Sequence, residues 1–195
     1  MYYAEIIKYK VLNQLAEASG TVIMGGSGDV SIPLGELKQA FALNENIYNR
    51  SFSSLSVTDA AKVFDECIAE LYPDTVILHI GEADAASFEK KGPAFEESYK
   101  ELIGTITSRN QSCRVVIVSL KNYGNDPNIA KINKCLKNIA DSKKCEFEDI
   151  SAKHVLRATE KREVISFLYN IGFDRPLNIK RPIYDLVRIL FCYEG

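Results

Sequence analysis

The segment TVIMGGSGDV, residues 21–30, joins a short apolar run to Gly25-Gly26 and then presents Ser27. A serine at a turn directly after a strand can act as a nucleophile, because its oxygen projects beyond the main chain toward an incoming carbonyl. The same Gly-Gly-Ser-Gly composition is also ordinary turn chemistry, so both readings stand. Gly25, Gly26 and Gly28 offer a third, a phosphate cradle at a helix N-terminus. That reading ranks last, because GGSGDVS has neither GxGxxG spacing nor a P-loop lysine.

A nucleophilic serine needs a base. The chain holds two histidines, His79 and His154. His79 lies in the apolar run VILHIG and reads as a satisfied core histidine. His154 falls early in a helical segment and is a candidate base, since triads are defined by geometry and not by sequence position. Glu82 and Asp84, in GEAD, could supply a carboxylate near Ser27, although Asp84 equally suits a capping role. Carboxylates are weak bases toward an alcohol unless burial raises their pKa.

The elements that must position these groups alternate along the chain. Residues 1–19 form an N-terminal helical segment before the first strand, TVIM. A helix follows from Pro33, then a second strand in NIYNRS, then a helix over SVTDAAKVFDECIAELY with Ser56 and Asp59 in a capping-box arrangement. TVILHIG is apolar on both faces, as a central parallel strand is. Pro93 opens the next helix, CRVVIVSL is the fourth strand, Asp126-Pro127 starts another helix, and CEFEDIS is the fifth strand. The remainder is mostly helical, broken at GFDRPLNIKRP. Strands separated by helices of this length predict an α/β, three-layer α/β/α sandwich around a parallel sheet of about five strands, as a single domain over 1–195. Function in such sheets gathers at the carboxyl ends of the strands.

A net charge of −2 gives no electrostatic footprint for nucleic acid or an anionic membrane. No signal-peptide pattern and no membrane-length apolar run are present. The five cysteines, Cys67, Cys113, Cys135, Cys145 and Cys192, are odd in number and never spaced as CxxC. The expectation is a reduced, cytoplasmic protein with no metal site and no cofactor.

In order, GGS (25–27), NRSFSS (49–54), GEAD (81–84), PNIAKINKCLKNIA and DRPLNIKRPIYDLV resemble the blocks of the SGNH, or GDSL-type, hydrolase family over roughly residues 20–190. The resemblance implies a flavodoxin-like SGNH fold and ester or acetyl-ester hydrolysis through a serine acyl-enzyme. The substrate implied is a small-molecule ester or carbohydrate-derived ligand. It places Ser27 at the nucleophile, Asp174 at the acid, and the backbone N–H groups of Ser27 and Ser54 at the oxyanion site. Against that pattern four family residues are replaced: the second-block glycine by Ser54, the oxyanion asparagine by Ala83, the catalytic histidine by Leu177, and the acid beside the nucleophile by Gly26. Activity by the standard relay is therefore expected to be weak or absent. The alternative is an inactive SGNH-fold protein that binds a small ligand or a protein partner.

Overall fold

The computed structural model describes residues 2–41, 43–122, 124–151 and 183–191. His154, Asp174, Leu177 and Cys192 lie outside them.

Five strands, β1 (Thr21–Gly25), β2 (Ile47–Asn49), β3 (Thr75–His79), β4 (Arg114–Val118) and β5 (Glu146–Glu148), form one sheet in the order β2-β1-β3-β4-β5. Every neighbouring pair is parallel. Helices α1 (Tyr3–Asn13), α2 (Leu34–Ala40), α3 (Val57–Cys67), α4 (Phe88–Arg109), α5 (Pro127–Lys143) and α6 (Ile183–Phe191) cover its two faces. The predicted five-stranded α/β/α sandwich is what the chain forms.

Strand periodicity sorts the core. Val22, Met24, Val76, Leu78, Val115 and Ile117 face α3, α4 and α5, together with Phe64, Leu102, Ile106 and Leu136. Ile23, Ile77, Val116 and Val118 face the other way, against Leu37 of α2 and Leu186, Val187, Leu190 and Phe191 of α6. The central strands are apolar on both faces because helices cover both faces.

Two local expectations are corrected. Pro93 does not open its helix: α4 begins at Phe88, directly after a short helical turn over Glu82–Ser87, and carries Pro93 inside it. The missing proline N–H therefore forfeits one internal bond. Ser56 and Asp59 do not form the expected box. The Ser56 hydroxyl accepts weakly from Thr58 N–H at 3.4 Å, while Ser56 N–H goes to the Tyr2 hydroxyl at 3.2 Å. The Val57 N–H is taken by Asp84, from another loop, at 3.0 Å. A capping partner distant in sequence is invisible to a three-residue spacing rule.

Tyr99 is fully buried beside Phe95, and its hydroxyl has no hydrogen-bond partner among the described residues. Burial pushes its pKa upward. An unpaired buried hydroxyl costs about 1–3 kcal/mol. Tyr99→Phe is expected to raise the urea midpoint of unfolding, by a stability gain of about 1 kcal/mol. A lowered midpoint would mean that the hydroxyl is satisfied in solution.

Candidate active site

The sheet order reverses direction at β1: the chain passes from β1 to β2 on one side, then returns to β3 on the other. The crevice beyond the carboxyl ends of β1 and β3 is thus the topological switch point, where this architecture binds ligands. Both loops singled out by their chemistry begin there, since Gly25 stands in register with His79.

Ser27 opens a single helical turn, Ser27–Asp29, and is exposed. Asp29, at the end of that turn, is buried at 6% exposure and folds back over β1. Its Oδ2 accepts the Gly26 N–H at 2.9 Å and lies 2.8 Å from His79 Nδ1. The fold-back requires Gly25, because a Cβ there would fall 2.2 Å from Asp29 Oδ2. Gly26 N–H also reaches the His79 carbonyl at 3.2 Å, and Asn49 Nδ2 donates to the Asp29 carbonyl at 2.7 Å. The turn is therefore tied to β2 and β3 at once, and Ser27 projects from a fixed base.

His79 is the core histidine expected. Nδ1 is paired with Asp29, the ring meets Phe191 edge-on at a centroid distance of 4.7 Å, and Nε2 is buried with no partner among the described residues. The Asp29–His79 pair was not singled out in the sequence. The available signal was an acid two residues past Ser27 and a histidine at the end of the strand adjoining β1.

The second block is held from many sides. Arg50 N–H donates to the Ile23 carbonyl at 2.8 Å and Phe52 N–H to the Gly25 carbonyl at 3.0 Å, while Ser51 Oγ accepts from Gly25 N–H at 3.1 Å. Arg50 is 5% exposed, with Nε and Nη2 on Asn13 Oδ1 and its guanidinium against the Tyr9 and Tyr48 rings. Burial lowers the Arg50 pKa. Ser54, expected by the family resemblance at the oxyanion site, is exposed at the tip of the same loop.

The third block begins at Gly81, whose φ of +126° suits glycine and whose missing side chain makes room for the Phe95 ring. Glu82 then brings Oε2 to 3.7 Å from where a Gly26 side chain would begin, which places its carboxylate over the Ser27 turn. Ala83 is exposed and presents only a methyl group. Asp84, a pocket candidate by sequence, is committed elsewhere: it accepts from Ser56 Oγ at 2.7 Å and Val57 N–H at 3.0 Å. It fastens the third block to the start of α3, and of the two loop acids only Glu82 remains beside Ser27. Asn133 of α5 similarly clasps the fourth loop, accepting from Leu120 N–H at 2.7 Å and donating to its carbonyl at 2.8 Å.

The described cysteines have no part in this site. Burial pushes Cys67 up to about 12 and Cys113 up to about 11, so both remain thiols at neutral pH. Among the described residues no group of three or more potential ligands could hold a metal ion, and no helix is long and apolar enough to cross a membrane.

No family model matches the sequence, and no curated protein matches it. Solved structures do. A Streptococcus pneumonia protein named for platelet activating factor superposes with a TM-score of 0.65 at 16% identity, over 75% of this chain and 73% of that one. A GDSL-like lipase from Bacteroides thetaiotaomicron gives 0.54 at 19%, over 75% and 78%. The chain has the SGNH-hydrolase fold. An acetyl xylan esterase adds a further match, 0.57 at 14% identity over 77% and 84%. At these identities the likeness establishes the SGNH architecture, and the chemistry has to be argued from the residues.

Proposed function

We propose that this SGNH-fold chain is a slow serine acylhydrolase acting on small ester or acetyl-ester substrates, with Ser27 as its nucleophile. The observation that carries this reading is the exposed Ser27, held on a rigid turn at the switch point of the sheet. Ser27 Oγ attacks the ester carbonyl carbon, and the carbonyl π electrons move onto oxygen. The backbone N–H groups of Ser27 and Ser54 receive that oxyanion. Collapse breaks the bond to the alcohol, which leaves with a proton, and water then cleaves the acyl-serine.

The proton from Ser27 goes to a base other than the family histidine, whose position is Leu177. Glu82, beside the Ser27 turn, is the base assigned here, with His154 the second candidate. A carboxylate matches poorly to an alcohol proton, which is one physical reason for a low rate. The other is Ala83, since one missing oxyanion donor costs about 10²–10³ in kcat. Asp174 keeps the acid position with no histidine to orient. The likeness of the fold to proteins named as a GDSL-like lipase and an acetyl xylan esterase supports an ester, including a carbohydrate-borne one, as substrate.

The second reading is a non-catalytic SGNH protein that keeps the crevice to bind a small ligand or a protein partner. Ala83 and Leu177 favour it. Hydrolysis of p-nitrophenyl acetate by the wild-type chain and Ser27→Ala separates the two. Turnover lost in Ser27→Ala supports the nucleophile, whereas background hydrolysis in both favours the binding protein. With turnover established, equal rates in wild type, Glu82→Ala and His154→Ala would remove both base assignments. A cytoplasmic location belongs to this proposal and rests on the reduced-cysteine composition.

A further inference from the structure

Helix α1 precedes every block of the site, yet one face of it is devoted to the loop carrying Ser54. Residues 2, 5, 9 and 13 recur at helical spacing and form a single stripe. The Tyr2 hydroxyl donates to the Ser54 carbonyl at 3.0 Å and accepts from Ser56 N–H at 3.2 Å. Glu5 Oε1 accepts from both Ser53 N–H, at 2.9 Å, and Ser53 Oγ, at 2.8 Å. The Tyr9 hydroxyl bonds the Ser51 carbonyl, and Asn13 holds Arg50. The Phe52 ring is met edge-on by both Tyr2, at 6.0 Å, and Tyr9, at 5.2 Å.

The Ser54 N–H belongs to the peptide joining Ser53 and Ser54. Glu5 fixes the peptide before it through Ser53 N–H, and Tyr2 fixes the peptide after it through the Ser54 carbonyl. Held at both ends, the loop tip cannot swing as a body relative to Ser27. An oxyanion donor works only when it is already aimed at the charge that develops, and loop motion would spoil that aim.

We infer that α1 is a positioning strap for the oxyanion loop, with Glu5 and Tyr2 as positioning residues that set where the Ser54 N–H points. This inference rests on the proposed role of Ser54, and α1 touches the reaction only through that loop. An interaction needed mainly in the transition state affects kcat more than substrate binding. The ionic form of Glu5 is not essential, because the amide oxygen of glutamine also accepts hydrogen bonds.

The test compares Glu5→Ala, Tyr2→Phe and Glu5→Gln, with Tyr3→Ala on the exposed side of α1 as control. The readouts are p-nitrophenyl acetate kinetics, amide hydrogen exchange by NMR and melting temperature. Glu5→Ala and Tyr2→Phe are expected to lower kcat about 10–100-fold with KM nearly unchanged. Glu5→Gln should retain most of kcat, and faster exchange should be confined to residues 51–56. An unchanged kcat overturns the inference, as does a parallel loss of kcat, KM and melting temperature that glutamine fails to rescue. If the wild type shows no Ser27-dependent turnover, the proposed function fails separately and exchange alone decides. Local acceleration at 51–56 then sustains the strap, and global acceleration or none overturns it.

Discussion

If the chain is the acylhydrolase proposed above, Leu177→His with Ala83→Asn is expected to raise Ser27-dependent hydrolysis of p-nitrophenyl acetate far more than either change alone. On the proposed reading, Leu177→His would supply a group able to take the serine proton, three residues after Asp174, the acid that reading assigns. By itself it should recover only part of the family's rate, because one oxyanion donor is still missing. Ala83→Asn supplies that donor on the exposed turn over Glu82–Ser87, where an added side chain meets solvent. In the Leu177→His background it should add about 10²–10³ in kcat. In the wild-type background the same change should add much less, because proton removal still limits the step. Relay and oxyanion hole act as a unit, so the gains are cooperative. Steady-state kinetics on the four proteins of the cycle measure this directly. A full return to family-like rates in Leu177→His alone would show that Ala83 is tolerated. No gain in the double variant would show that the crevice no longer admits an ester in reacting geometry.

Gly25→Ala is expected to be among the most destabilising single methyl additions in the chain, at about 2–4 kcal/mol. The new Cβ would lie 2.2 Å from Asp29 Oδ2 and 2.7 Å from both Asp29 Cβ and Cγ. Asp29 must then leave its seat, which leaves His79 Nδ1 without its partner and the Gly26 N–H with only the longer bond to the His79 carbonyl. Gly28→Ala, in the same turn, should change stability by less than about 0.5 kcal/mol, because nothing lies within 4 Å of its Cβ. The cause can be isolated. In an Asp29→Ala background, Gly25→Ala should cost much less than in the wild type, and chemical denaturation of the four variants reads that coupling. Equal costs in the two backgrounds would move the conflict from the Asp29 carboxylate to the backbone. Because Ser27 rides on this turn, Gly25→Ala should also abolish any Ser27-dependent turnover.

The architecture was legible because it rests on local periodicity. Val76-Ile77-Leu78 can be apolar on both faces only where helices cover both, and helices between strands dictate parallel crossovers. From the five strands and their order in the chain, the carboxyl-end loops with Ser27, Ser54 and Glu82 follow as the candidate site. The expectations that differ from the structure fail for one local and one remote reason. Pro93 looked like a helix start because the short turn before α4 leaves no pattern of its own. Asp84 looked available to Ser27 until Val57, 27 residues away, claimed it.

The sequence by itself determined the sheet and the placing of Ser27 beyond the carboxyl end of its first strand. Those properties depend on residue identity and on spacing within one element. Tertiary structure alone decided that Asp29 reaches across to His79, that Asp84 caps α3, that Glu82 stands over Gly26, and that α1 grips the Ser54 loop. Each of these contacts joins residues 27 or more positions apart. Hydrogen bonds at 3 Å depend on how whole layers pack, and no local pattern of residues records that.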